Sequence, residues 1–130
     1  MTARGTFDVK ATQQPQDDSA GGPFGRLFLD KKYNDDLNAT SKGQMLGAFT
    51  AVEGSGAYVA FEQVTGTLNG KKGSFILQHN GAMRKGVYNI NVTVVPDSGT
   101  DELTGITGAM TIIIEGGKHS YVFEYKFEGN

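Results

Sequence analysis

The sequence has no cysteine, few prolines and no long apolar run. The absence of cysteine among 130 residues excludes disulfide bonds, thiolate metal sites, iron–sulfur clusters and cysteine nucleophiles. The longest unbroken apolar run, residues 57–61, has five residues, whereas a helix that crosses a bilayer needs about 20. The first residues lead directly into patterned sequence without the apolar core of a signal peptide. We therefore expect a cytoplasmic protein with no membrane partner.

A large excess of charge of one sign is also missing, since 12 Lys and Arg residues stand against 14 Asp and Glu residues. Binding to a nucleic-acid backbone requires a basic surface, so we expect no nucleic-acid partner. The chain has two histidines, His79 and His119, and neither belongs to a His-x-x-x-His pair that would ligate a transition metal. We expect neither a metal site nor a cofactor.

Glycine is abundant, with 19 residues, about twice the number that average usage would give. Pairs such as Asn69-Gly70 and Gly116-Gly117 favour tight β-hairpin turns. Apolar and polar residues alternate between such turns, which is typical of strands with one buried face. The predicted strands cover residues 6–12, 24–33, 40–52, 57–67, 73–80, 87–95, 109–115 and 118–127.

Several local features accompany these strands. The polar stretch 13–22 predicts a loop, and Asn80-Gly81 predicts a turn. Gly43 and Gly47 interrupt a strand, as glycines do at bulges or at bends of a sheet. Residues 101–104 predict a single helical turn before the last two strands.

The last predicted strand has one aromatic face. Its alternation places His119, Tyr121, Phe123, Tyr125 and Phe127 on the same side. About eight short strands joined by hairpins must hide their edges, and closure into a barrel does so most completely. We predict an all-β fold in which residues 1–130 form a single antiparallel closed barrel of about eight strands; a sandwich is the alternative. A barrel of this size is either filled by its own side chains or holds one small ligand.

Five segments together resemble a family of bacterial proteins of unknown function with an allene oxide cyclase-like β-barrel fold. The segments are GTFDVK at 5–10, DLNATS at 36–41, GAYVAFE at 56–62, SGTDELTGITG at 98–108, and HSY at 119–121 with EY at 124–125. The resemblance implies an allene oxide cyclase-like barrel. Plant allene oxide cyclases are more distant, and Asp8, Lys10 and Pro15 match their first-strand residues poorly. We therefore do not assign cyclase activity from this resemblance.

Glu62 lies inside a predicted strand and is the first candidate catalytic residue. A carboxylate that faced a dry interior unpaired would be costly. One interpretation is a general acid or base inside the barrel with a raised pKa. The alternative is an acid on the outer, solvated face of the strand.

The two histidines are the next candidates. His79 ends a predicted strand on the same face as Phe75 and Leu77, so its imidazole lies on the apolar side. It is interpreted either as a catalytic group or as a hydrogen-bonded residue at the rim. His119 begins the aromatic face and is assigned to ligand binding, with the same structural alternative.

The aromatic residues complete the candidate site. Tyr121 is assigned to catalysis, because a buried phenol needs a polar partner, and Glu62 or His79 would supply one if their strands face a common interior. The remaining aromatics are interpreted either as apolar walls of a ligand site or as the core. The residues assigned in this way to ligand binding are Phe75, Phe123 and Tyr125.

Two functional hypotheses follow. In the first, the barrel binds a small apolar or mixed-polarity molecule and acts on it by acid–base isomerisation or cyclisation, without a cofactor. Glu62 would shuttle a proton, while His79 or Tyr121 would polarise or orient the substrate. In the second, the protein is a non-catalytic module with a filled barrel that acts through its surface as a homo-oligomer.

Overall fold

The computed structural model describes residues 1–15 and 24–128, and in it eight antiparallel strands follow one another around a closed barrel. Each strand pairs with the next along the chain, and the last pairs with the first. The predicted all-β closed barrel is therefore confirmed. The strands are β1 (Thr2–Gln13), β2 (Phe24–Tyr33), β3 (Leu37–Phe49), β4 (Gly56–Leu68), β5 (Lys71–Arg84), β6 (Val87–Val94), β7 (Ile106–Glu115) and β8 (Lys118–Phe127).

The predicted turn at Asn80-Gly81 is wrong, because β5 continues to Arg84. Gly81 lies opposite Tyr58 of β4, and a Cβ atom at Gly81 would be 2.5 Å from Cε1 of the tyrosine ring. The glycine thus allows the ring of Tyr58 to lie against the backbone of β5. The turn falls instead at Lys85 and Gly86, both of which have positive φ.

The glycines of β3 permit close packing and not a change of register. β3 pairs with β2 and β4 in unbroken register through Gly43 and Gly47, so neither glycine forms a bulge. A Cβ atom at Gly43 would clash with the carbonyl oxygen of Phe61. Of the predicted loop 13–22, Gln13 is the last residue of β1, and residues 16–22 lie outside the described residues.

The segment between β6 and β7 closes one end of the barrel. It contains a 3₁₀ helix, Asp101–Leu103, where the sequence predicts a helical turn. Ser98 Oγ accepts a hydrogen bond from Ile76 N at 3.0 Å, and Thr100 Oγ1 accepts one from Ser74 N at 3.0 Å. These bonds hold the segment on β5, and Leu103 is buried at this closed end. No helix within the described ranges is long and apolar enough to span a membrane.

Aromatic residues fill the interior near the closed end. Phe75 and Phe123 stack with their ring centroids 5.6 Å apart, and Phe123 and Tyr125 stack at 5.3 Å. All three side chains are buried. The aromatic face of β8 therefore points inward, as its alternation predicts.

Inward-facing side chains become more exposed toward the opposite end. Along β6, the exposed fraction rises from 2% at Val92 to 66% at Tyr88, and along β7 it rises from 4% at Met110 to 56% at Ile114. The register of β6 with β7 covers only two residue pairs, Val92↔Met110 and Thr93↔Ala109, so these two strands separate beyond them. We call this end of the barrel the open end; its inward-facing residues are Val9, Tyr58, Met83, Tyr88, Ile90, Ile112 and Ile114.

Candidate ligand-binding site

Glu62 points into the barrel and lies at the centre of a buried polar cluster. Its side chain is 1% exposed. Lys31 Nζ donates to Oε2 at 2.7 Å, and His79 Nε2 hydrogen-bonds the same oxygen at 2.5 Å. Ser41 Oγ donates to Oε1 at 2.9 Å, and the hydroxyl of Tyr33 also donates to Oε1. We call these five residues the Glu62 cluster.

Strand alternation places every member of the cluster inside the barrel. On β4, Tyr58, Ala60 and Glu62 face inward in that order from the open end, because alternate residues share a face. On β5, His79 lies two residues from Gly81, the glycine that faces Tyr58. The cluster therefore lies beneath the open end and above the aromatic core.

The predicted raised pKa of Glu62 is wrong. Burial raises the pKa of this carboxyl, but the hydrogen bond from His79 and the positive charge of Lys31 lower it, and the result is a pKa of about 2. The prediction considered an unpaired carboxylate, whereas the buried carboxylate is paired. Glu62 is consequently ionised at neutral pH.

Two tyrosines near Glu62 keep their protons. Burial, followed by the charge of Glu62, raises the pKa of Tyr33 well above its usual value and also raises the pKa of Tyr58. The hydroxyl of Tyr33 donates a hydrogen bond to Glu62. The hydroxyl of Tyr58 has no hydrogen-bond partner among the described residues, so it is available as a donor at the open end.

His79 has one nitrogen held by the cluster and one without a partner. Nε2 bonds to Glu62, while Nδ1 has no hydrogen bond to any residue in the ranges 1–15 and 24–128. In those ranges, Thr107 Oγ1 is the one fully buried side-chain polar atom without a partner. Nδ1 of His79, which also has no partner there, therefore keeps a small contact with solvent in a side chain that is 4% exposed. An ionised carboxylate only accepts, so a neutral imidazole carries its proton on Nε2 and a lone pair on Nδ1.

Sequence reasoning missed three members of the cluster: Lys31, Tyr33 and Ser41. A signal for Lys31 exists, because it alternates with Leu29 and Tyr33 on the apolar phase of β2. Its ammonium also lies over the rings of Phe7 and Tyr33, 5.2 and 5.8 Å from their centroids. A lysine on an apolar phase predicts a buried partner of opposite charge.

The structure brings Glu62 and His79 together but places Tyr121 elsewhere. The hydroxyl of Tyr121 donates to the carbonyl of Asn34 at 2.6 Å and accepts from the backbone N–H of Leu37 at 2.9 Å. Burial raises its pKa to about 12. Tyr121 thus holds the β2–β3 turn, and its partners are backbone groups of that turn.

The residues assigned to ligand binding divide between the two ends. Phe75, Phe123 and Tyr125 belong to the core near the closed end, where the hydroxyl of Tyr125 accepts from Asn69 Nδ2 at 2.7 Å. His119 is half-buried nearer the open end, with its ring centroid 5.2 Å from that of Phe7. Their roles in ligand binding stay predictions.

An apolar cavity of about 100 Å³ lies at the open end. This volume is about two-thirds of the ~150 Å³ of an apolar cavity that holds benzene. The side chains that line the cavity include Phe49, Tyr58, Met83, Tyr88 and Ile90.

The described residues contain no group of three metal-ligating side chains.

The chain is similar to proteins that have no assigned activity. The sequence model of a family described as "Protein of unknown function (DUF3224)" matches residues 3–125. A crystal structure of a protein with unknown function from the DUF3224 family of Shewanella oneidensis MR-1 is 47% identical, covers 100% of this chain and 98% of its own, and has a TM-score of 0.93. No curated protein matches the chain. The likeness to allene oxide cyclases stays a prediction.

Replacing Tyr121 by phenylalanine tests its role at the β2–β3 turn. We expect Tyr121→Phe to lower the free energy of unfolding by about 1–3 kcal/mol, because Leu37 N–H and Asn34 C=O lose a partner. Urea denaturation measures the change. Tyr125→Phe is the control: its hydroxyl bonds to the exposed side chain of Asn69, so we expect a loss below about 1 kcal/mol. Equal losses would contradict the assignment.

Acid denaturation tests the paired carboxylate. The pKa of Glu62 is lowered from 4.5 to about 2 in the folded protein. The unfolded chain therefore takes up this proton first, and Glu62 contributes stability above about pH 4.5 that is lost as the pH falls toward 2. In the double variant Lys31→Met, Glu62→Gln, we expect the free energy of unfolding to fall less steeply across this range, as measured by urea denaturation at successive pH values.

Asp30→Asn provides the control for this titration, because Asp30 is an exposed carboxylate 3.3 Å from the exposed Lys42. Exposed pairs contribute little, so we expect this variant to keep the pH dependence of the wild-type protein. A double variant that loses stability as steeply as the wild-type protein would show that Glu62 is not strongly paired.

Proposed function

The chain belongs to the DUF3224 family of proteins of unknown function, and for this member we propose that the barrel binds a small, largely apolar molecule at its open end. The observation that carries the proposal is the contrast between the two ends of the barrel. Leu103 and its neighbours close one end, whereas inward-facing apolar side chains stay exposed at the other. A concave apolar surface with a few polar groups is the usual character of a small-molecule site.

Burial of the exposed apolar side chains at the open end by a ligand supplies the driving force for binding. Tyr88 and Ile114 face inward and are more than half exposed. A ligand that removes such surface from water gains about 25 cal/mol for each Å² of apolar area. The separation of β6 from β7 widens the same site. Because the cavity is small, the favoured ligand inserts one ring or a short alkyl chain.

The Glu62 cluster supplies the polar groups beneath this site. Acid–base isomerisation or cyclisation is the reaction that we propose for a bound molecule, and the hydrogen-bonded pair of Glu62 and His79 supports proton transfer. Glu62 is held as a carboxylate by four hydrogen bonds, so His79 is better suited to exchange a proton than Glu62. The proposal requires neither a metal nor a cofactor. A cytoplasmic location and the absence of a nucleic-acid partner stay predictions.

A second candidate function is association with another copy of the chain. The outer faces of β2, β3 and β4 carry exposed apolar side chains that form an outer patch, in which Leu46 lies directly opposite Val59. Burying such a patch between two copies would remove it from water. The outer patch consists of Phe28, Leu46, Val59 and Phe61.

Toluene is a suitable probe for the open end, because it has one small aromatic ring to insert and no polar group. Methyl NMR spectra recorded during a toluene titration should show shifts at Met83, Ile90 and Ile114. We expect Ile114→Arg to raise the dissociation constant about tenfold or more, since it places a charge in an apolar site. Val59→Arg is matched in exposure, at 53% for Val59 against 56% for Ile114, but lies on the outer face.

We expect Val59→Arg to bind toluene as the wild-type protein does. Shifts confined to the outer patch, equal effects of the two substitutions, or no saturable shift at all would each overturn binding at the open end.

Native mass spectrometry tests the second candidate on the same proteins. Association through the outer patch predicts a dimer of the wild-type chain that Val59→Arg dissociates and Ile114→Arg leaves intact, because only Val59 lies in the patch. A wild-type protein that stays monomeric, or a dimer that survives Val59→Arg, would contradict this candidate.

A further inference from the structure

We propose that His79 is a catalytic base for an enolisable carbonyl compound bound at the open end, with Glu62 as the positioning residue and the hydroxyl of Tyr58 as the donor to the carbonyl oxygen. This inference rests on the proposed binding function. It adds a substrate class and a role for each group.

Abstraction of the α proton depends on the orientation of the His79 ring. Glu62 Oε2 lies 2.5 Å from Nε2, and Lys31, Tyr33 and Ser41 fix the carboxylate. Since the carboxylate accepts at Nε2, the neutral ring presents the lone pair of Nδ1. A base whose other nitrogen is held by a carboxylate keeps one tautomer and one direction, and the carboxylate also stabilises the imidazolium that forms.

Tyr58 supplies the group that meets the developing charge. Its ring lies against Gly81, and Gly81 is the next inward-facing residue after His79 on β5. Tyr58 is thus on the open-end side of His79. Its hydroxyl has no partner in the described part of the chain, and it stays protonated because burial and Glu62 raise its pKa. A free donor on the open-end side of a base suits a carbonyl oxygen that becomes an enolate.

The charges around His79 come from two strands. Glu62 and Tyr58 lie on β4, and Lys31 and Tyr33 lie on β2. With His79 neutral, the positive Lys31 balances the negative Glu62. After proton transfer the cluster carries one positive charge, which pairs with the negative enolate.

The proposed step is balanced without an oxidant or a reductant. The α C–H bond breaks and an N–H bond forms at Nδ1 of His79. The C–H electron pair becomes the carbon–carbon double bond of the enolate, and the carbonyl π pair moves to oxygen, which accepts from Tyr58. When a solvent deuteron replaces the proton on His79 and is then delivered to the same carbon, the result is exchange. Return of the proton to a conjugated carbon gives an isomer.

Acetophenone is the probe, because it joins one aromatic ring to an enolisable methyl ketone. Proton NMR in D₂O would measure the exchange of its methyl hydrogens. We expect the wild-type protein to accelerate exchange and His79→Gln to lower the protein-catalysed rate about a hundredfold to ten-thousandfold. Glutamine retains a donor toward Glu62 but is not a base. Gln78→Ala, an outward-facing substitution on the same strand, should leave the rate unchanged.

The positioning role of Glu62 has its own readout. In Glu62→Gln the imidazolium loses a stabilising charge while Lys31 remains, so the rise of the exchange rate with pH should begin at a lower pH. A purely structural role would lower the rate without moving the profile. Tyr58→Phe is the second variant should Glu62→Gln fail to fold: Tyr58 is half-buried, and we expect at least a tenfold lower rate with an unmoved profile.

The outcomes separate this inference from the binding function. If toluene and acetophenone bind at the open end but exchange is no faster than in buffer, or is equal in His79→Gln, the catalytic inference is wrong and the binding function stands. If neither molecule binds there, both are overturned. Exchange that depends on His79 and Tyr58 supports the inference.

Discussion

The ionised carboxylate of Glu62 lies where water cannot solvate it, and the interior of the barrel is arranged around that charge. Four side chains donate to or pair with it: Lys31 and Tyr33 from β2, Ser41 from β3 and His79 from β5. Removing one partner of a buried ion pair typically costs about 3–5 kcal/mol, because the remaining charge stays buried. The cluster therefore specifies how four neighbouring strands face one another.

The inward-facing side chains are buried at one end of the barrel and exposed at the other, because different residues occupy the two ends. At the closed end, Leu103 belongs to the same buried core cluster as the stacked rings of Phe75 and Phe123, and Tyr121 holds the backbone of the β2–β3 turn. At the open end, β6 and β7 separate and apolar side chains stay exposed. The Glu62 cluster lies between the two. The polar cluster thus separates a packed, closed half of the barrel from an open, apolar half.

Much of the fold can be predicted from local pattern. The turn at Asn69-Gly70 is confirmed, with positive φ at both residues, and the inward aromatic face of β8 follows from its alternation. Membership of a family of unknown function is confirmed as well. The turn predicted at Asn80-Gly81 is wrong because Gly81 serves a contact across strands: the ring of Tyr58 occupies the space that a side chain would take. Nothing in the neighbouring residues distinguishes that use of glycine from a turn.

The candidate site is less accessible to sequence reasoning, and Glu62 shows why. Alternation determines that Glu62 shares a face with Tyr58, but the apolar run 57–61 leaves either face of the strand able to point inward. The charge of Glu62 depends on Lys31 and His79, which lie 31 and 17 residues away in the chain and reach it only when β2, β4 and β5 curve around one interior. Burial alone would raise the pKa, whereas the assembled barrel lowers it. Periodicity thus decides which side chains share a face of a strand, but closure of the sheet decides which face points inward and which side chains meet, because hydrogen bonds act over a few ångströms of space and not along the chain.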